Sequence, residues 1–103
     1  MDLKQSLEVV SRTGRYVVGF RKSIQACLTK RAAMLIVSGK AEESLKMAAR
    51  SASDVSGVPL LIADLSPSEI GVALRKNFSV ATLAIIDPGS ADFGQMEGGE
   101  SIE

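Results

Sequence analysis

The clearest chemistry in this chain lies in one run, Tyr16-Val17-Val18-Gly19-Phe20-Arg21-Lys22-Ser23-Ile24-Gln25. Three strand-forming apolar residues reach a glycine, and polarity then changes abruptly at Arg21, Lys22 and Ser23. From Phe20 onward, Ile24, Cys27 and Leu28 fall at helical spacing. The run therefore predicts a buried strand, a tight turn on Gly19 and the first turn of a helix. A helix start carries unpaired N–H groups and a partial positive charge, so it receives anions well. Two cations there gain nothing from the helix dipole, which favours acidic residues in the first turn. Arg21 and Lys22 thus stand where an external anion would help. The plainer alternative is that they are ordinary solvated charges beside a strand.

Other chemistries have less behind them. Histidine is absent, which removes the usual general base and metal ligand and leaves Ser23 with nothing to activate it. The single cysteine, Cys27, allows no internal disulfide and falls one turn after Ile24, on the face expected to be buried. Neither a G-x-G-x-x-G nor a Walker sequence occurs. Ile62-Ala63-Asp64-Leu65-Ser66-Pro67 is superficially like the phospho-acceptor strand end of response-regulator receivers, so a small receiver-like signalling domain is the reading from a different class. Such a domain needs further carboxylates after its first strand to hold Mg²⁺. Here that strand ends in Gly19-Phe20-Arg21, which would repel the metal. No enzyme activity, cofactor or metal is expected.

The charge distribution points to a polyanion instead. Net charge over the 103 residues is zero, but Val9 to Ala41 holds seven basic residues and no acidic one. From Asp87 onward there are five acidic residues and no basic one, so the first 86 residues carry a net charge of +5. A basic body suits a polyanionic partner, because each phosphate contact releases counterions. The acidic end reads as a solvated appendage. No apolar run approaches the length of a membrane span, and Met1-Asp2-Leu3-Lys4 lacks the plan of a signal peptide, so a cytoplasmic protein is expected.

The elements that position these residues follow in order. Leu3, Leu7 and Val10 mark a one-sided helix over Asp2 to Arg12. The strand and helix around Gly19 come next, the helix closing around Thr29 to Arg31. Ala33 to Val37 is a continuous apolar run, as for a strand covered on both faces. Glu42 to Ser56 reads as a helix with Leu45, Ala48, Ala49, Ala52 and Val55 inward, stopped by Gly57. Val58 to Ala63 is a third strand, and Pro59 suggests that it lies at a sheet edge or begins there. Ser66-Pro67-Ser68-Glu69 is a capping box with proline at the first helical position. Its short helix turns Ile70, Ala73 and Leu74 inward. Arg75 to Ser79 is a loop, Val80 to Ile86 the fourth strand, and Asp87-Pro88-Gly89 breaks it.

This alternation predicts a three-layer α/β/α sandwich on a four-stranded mixed, mainly parallel sheet, forming one domain over residues 1–90. Residues 91–103 are expected to form a flexible acidic tail. Sites gather in such sheets where strands end and helices begin. Three polar segments qualify: Gly19 to Gln25, Ser38 to Glu42, and Arg75 to Val80. Strand order decides whether they share an edge.

The order Thr13-Gly14-Arg15, Val18-Gly19-Phe20-Arg21-Lys22-Ser23-Ile24-Gln25, Leu35-Ile36-Val37, Ser56-Gly57-Val58-Pro59, Glu69-Ile70-Gly71 and Ile86-Asp87-Pro88-Gly89 resembles a known family. It is similar to the L-thirty-e large-subunit ribosomal proteins of archaea and eukaryotes, within the L-seven-A-e kink-turn-binding superfamily. The resemblance covers roughly residues 2 to 90. It implies a cytoplasmic, ribosome-associated protein, monomeric when free, that binds a kink-turn or kinked internal loop of ribosomal RNA, with neighbouring large-subunit proteins as further partners. A free-standing kink-turn binder in RNA processing or assembly is the other reading of that kind. In the superfamily the glycine turn and first residues of the second helix approach sheared G·A pairs, a role that carries over to Gly19, Arg21, Lys22 and Gln25. The loop before the last strand receives a flipped-out base on apolar side chains, which transfers to Phe78 and Val80, flanked by Lys76 and Asn77. Independent RNA chemistry agrees: cations for phosphates, polar tips for base edges, an aromatic face for an unstacked base. The competing reading of Phe78 is a core plug between helix and strand. One departure stands out. Where family members often carry asparagine after the second strand, this chain has Ser38-Gly39-Lys40, and Lys40 can hold a phosphate but cannot make a two-way base contact.

Overall fold

The computed structural model describes residues 2–91 together with Phe93. Helices and strands alternate as α1 (Leu3–Thr13), β1 (Arg15–Val18), α2 (Phe20–Leu28), β2 (Met34–Ser38), α3 (Glu43–Ser56), β3 (Leu60–Ala63), α4 (Pro67–Ala73) and β4 (Thr82–Asp87). Two helix starts are fixed by reciprocal side-chain caps. At α1 the Asp2 carboxylate accepts from the Gln5 backbone N–H at 2.8 Å, and the Gln5 side chain accepts from the Asp2 N–H at 3.2 Å. At α4 the Ser66 hydroxyl accepts from the Glu69 N–H at 3.1 Å, and Glu69 accepts from the Ser66 N–H at 2.8 Å.

The strands form one sheet in the order β1-β4-β2-β3. β2 and β3 pair in parallel, whereas β4 runs antiparallel to both β1 and β2. The sheet is therefore mixed, as expected. "Mainly parallel" holds for direction, since β1, β2 and β3 run one way, but not for pairing, since β4 is reversed and inserted between two of them. The local cause is the length of α4, a helix of seven residues. The loop after it doubles back until the Val80 N–H donates to the Pro67 carbonyl oxygen at 3.0 Å, at the start of the same helix. The chain thus re-enters the sheet at the end it has just left. β3 is an edge strand, consistent with Pro59 immediately before it.

Strand residues alternate between two cores, which gives the three layers. Met34, Ile36, Leu83 and Ile85 pack with Leu7, Val10, Ile70 and Leu74 beneath α1 and α4. Leu35, Val37, Leu60 and Ala84 pack with Ala26, Cys27, Ala49 and Ala52 beneath α2 and α3. Small side chains on the second face let those helices lie close to the sheet. Leu28 and Val55, expected to face inward, are exposed. Each lies in the last turn of its helix, where the inward position is taken by a neighbour: Cys27 is buried in contact with Ser56, its Sγ 3.2 Å from the Ser56 Oγ. The packed body also reaches past residue 90, the boundary read from the sequence. Phe93 is buried in the larger core, and the Ser90 N–H donates to Thr13 Oγ1 at 3.1 Å. The rest of the expected acidic tail lies outside the described residues.

The α4 cap carries a pH dependence. The Ser66 backbone N–H, the Ser66 hydroxyl and the nearby Lys4 ammonium hold the Glu69 pKa below the ordinary glutamate value. A carboxylate whose pKa is lowered by folding stabilises the fold above its unfolded pKa, and that contribution is lost as pH falls through the folded value. Glu69→Gln should therefore be less stable than the parent at neutral pH in urea unfolding. The gap should close in acid, once the parent's Glu69 is also neutral.

Candidate nucleic-acid interface

The Gly19 turn is forced by backbone geometry. Gly19 has a φ of 99° and a ψ of 149°, a region that side chains make costly, although the space around its Cβ position is open. Its N–H donates to the Thr82 carbonyl oxygen at 3.0 Å, and its own carbonyl accepts the first helical bond, from the Ser23 N–H. Among the described residues no side chain caps α2, and no acidic residue occupies its first turn. The N–H groups of Phe20, Arg21 and Lys22 therefore open onto a surface bearing two exposed cations, Arg21 and Lys22. Neither belongs to an ion pair among the described residues, where the pairs are Lys4–Glu69 and Lys46–Glu43. Gln25 is exposed one turn after Arg21 and so shares its face. Ser23 is fully buried, as is Thr82 on β4, and among the described residues neither hydroxyl has a hydrogen-bond partner.

The strand order brings all three polar segments to one edge. The Gly19 turn is bonded to Thr82, and the Ser38 N–H donates to the Ala81 carbonyl at 2.8 Å. Ser38 Oγ is buried, donates to the Leu65 carbonyl at 2.6 Å and accepts from the Lys40 N–H at 3.0 Å. Lys40 itself is exposed. Between the first and last of these segments runs a groove of about 380 Å³, lined by Val18 to Phe20, by Leu45 from α3, and by Phe78 through Thr82. That volume is at the small end of the range for small-molecule pockets, about 300–1,000 Å³.

Phe78 is 54% exposed, which excludes a core plug. Its backbone is braced from below, because a Cβ on Gly71 would run into the Phe78 carbonyl oxygen. Arg75 closes α4 with a φ of 62°, its N–H donating to the Val72 carbonyl and the Lys76 N–H to the Gly71 carbonyl, both at 2.9 Å. Lys76 is half-buried, its ammonium 5.5 Å from the centroid of the Tyr16 ring, a cation–π placement. Asn77 is exposed. Val80 departs from its expected role as an open platform: it is 3% exposed and belongs to the core under α4. Of the two apolar residues expected to receive a base, Phe78 alone presents its side chain to solvent.

Two residues of this edge were not singled out as site residues from the sequence. Leu45 reads there as an inward residue, yet it forms part of the groove wall; its size at the head of an alanine-rich face was the available signal. The other is Lys46, whose Nζ donates to the Gly39 carbonyl at 3.0 Å. No pattern in the sequence announces that bond. Asp64 is exposed at the end of β3, and among the described residues no group of three or more His, Cys, Asp or Glu could hold a metal.

Comparison with known proteins assigns the architecture to a lineage. Residues 1–93 match the model of the ribosomal protein L7Ae/L30e/S12e/Gadd45 family. The chain belongs to this family. It is 29% identical over 92 residues to the large ribosomal subunit protein eL30 of Pyrobaculum islandicum, covering 89% of this chain and 91% of that protein. It is 30% identical over 91 residues to the eL30 of Methanobrevibacter smithii, and 26% identical over 98 residues to that of Methanothermobacter thermautotrophicus. These alignments cover 88% and 95% of this chain and 92% and 100% of the respective relatives. The family is one of structural RNA-binding proteins rather than enzymes, which removes the receiver reading of Asp64.

Two stability measurements test this description. Gly19→Ala should destabilise the fold by about 1–3 kcal/mol through backbone strain alone, there being no clash to relieve. Phe78→Ala should cost no more than about 1 kcal/mol, against about 3–5 kcal/mol for truncating a buried phenylalanine. Denaturant midpoints of the two variants check both values. A Phe78→Ala loss in the core range would contradict the exposed ring.

Proposed function

We propose that this protein is a structural component of the large ribosomal subunit that holds a kink-turn or kinked internal loop of ribosomal RNA. The observation that carries the reading is one groove bounded by the cationic, uncapped start of α2 and by the exposed ring of Phe78. Phosphates and base edges near the kink meet Arg21, Lys22 and Gln25, supported by the free N–H groups of the first turn. Lys40 and Asn77 stand at the flanks. An unstacked base lies on Phe78 in the groove, with Val18, Phe20 and Leu45 among the other apolar walls. Lys76 meets the RNA from its position over Tyr16. Val80 contributes as the floor beneath the loop rather than as a stacking surface. The protein acts as a monomer, and its ribosomal relatives are named for the large subunit, which favours a ribosomal site over a free-standing role.

Charge reversal at Arg21 or Lys22 should weaken binding to a kink-turn RNA, most strongly at low ionic strength. Reversal at Arg50, exposed on α3 and outside the groove, should do little. Phe78→Ala should lose about 1–3 kcal/mol of binding, the worth of one base–aromatic stack. Titrations of the folded variants against one labelled RNA measure all three. Equal losses at Arg21 and Arg50 would reduce the interaction to non-specific electrostatics. Sedimentation of the endogenous protein apart from large subunits would favour the free-standing role.

A further inference from the structure

We propose that Lys46 is a positioning residue for the RNA interface, its ammonium fixing the β2–α3 loop that carries Lys40 against the start of α3. The proposal rests on the RNA-binding reading above. Lys46 lies in the second turn of α3 with its side chain only 20% exposed, unusually enclosed for a surface lysine. Its Nζ donates to the Gly39 carbonyl at 3.0 Å and sits 3.4 Å from Glu43 Oε1. An ammonium engaged by a carbonyl and a carboxylate is committed within the protein, unlike the free charges of Arg21 and Lys22.

The surrounding bonds show what it holds. The Gly39 N–H donates to the Ala63 carbonyl at 2.7 Å, so with Lys46 on its carbonyl both polar groups of Gly39 are fixed. Ser38 Oγ ties the same loop to Leu65 and receives the Lys40 N–H, while the Ala41 N–H donates to the Ser38 carbonyl at 3.1 Å. α3 begins without a side-chain cap, so the reach of Lys46 fastens its first turns to the loop in front. Leu45, the preceding residue, is a wall of the groove. The same turns of α3 therefore set both the loop carrying Lys40 and one side of the base site.

Lys46→Met tests this, since it keeps the aliphatic stem and removes the donor. Hydrogen exchange of the free protein should show the Lys40 and Ala41 amides opening faster, with β4 amides unchanged. Affinity for a kink-turn RNA should fall about three- to tenfold, the range one hydrogen bond allows, relative to Arg50→Met, which removes the same charge from the same helix. The dependence of affinity on salt should match that of Arg50→Met. Lys46→Arg, which keeps a donor, should restore both exchange and affinity, and Glu43→Gln should alter neither. A salt slope shallower than that of Arg50→Met by about one would make Lys46 a direct phosphate contact instead. Unchanged loop exchange or unchanged affinity would reject the positioning role. Failure of the unmodified protein to bind the RNA would overturn the RNA reading itself, an outcome kept separate because exchange is read without RNA.

Discussion

The reversal of β4 between β1 and β2 is the constraint on which this molecule depends. A central strand bonded on both sides completes the sheet, and its direction decides what lies at each end. Because β4 runs against its neighbours, its first residues meet the last residues of β1 and β2. The loop that feeds β4 therefore arrives where α2 and α3 begin. The bonds from Gly19 to Thr82 and from Ser38 to Ala81 express that meeting in backbone terms. A parallel β4 would have placed Phe78 at the opposite end of the sheet from Arg21 and Lys22, and no groove would join them.

Electrostatics and conformational strain converge at the same edge. α2 starts on a glycine whose dihedral angles other residues adopt only with strain, and its first turn lacks the acidic residue that would neutralise the helix end. Cations, unpaired N–H groups and an exposed aromatic ring would each be a small liability on an isolated domain. Together they are the features that the proposed recognition of a folded polyanion with one unstacked base would use. The groove itself is mostly apolar, so in the proposed role it would discriminate by shape and stacking, while the charges around it would supply attraction that fades with salt.

Much of this was legible in the sequence, and the illegible part has a common cause. The Gly19 turn, the capping box at Ser66 and the two-faced strands are local, set by residues a few positions apart. The inward face of α4 and the polar character of all three site segments follow from short-range periodicity. Strand order is not local: only the doubling back from Arg75 to Val80 reverses β4, and no single residue there spells it. The same limit explains Val80, which reads in sequence as the start of the fourth strand but lies ahead of β4, bonded to Pro67 and packed in the core. It also explains Lys46, whose partner Gly39 is seven residues away across a loop whose path depends on the sheet. Phe93 is a milder case, an isolated aromatic after an Asp-Pro-Gly break that the core nevertheless takes in.

The position of β4 along the chain has a consequence for biosynthesis. Its partners β1 and β2 are complete by Ser38, but the strand that joins them is residues 82–87. Until those residues leave the exit tunnel, β1 has no neighbour and β2 offers an unpaired edge to solvent, so the nascent chain cannot close either core. Folding must then proceed in one late step rather than element by element behind synthesis. The edge proposed to face RNA would come into being in that same step, because its loops are held by bonds to residues 81 and 82. An incomplete chain would therefore have no assembled edge with which to engage RNA.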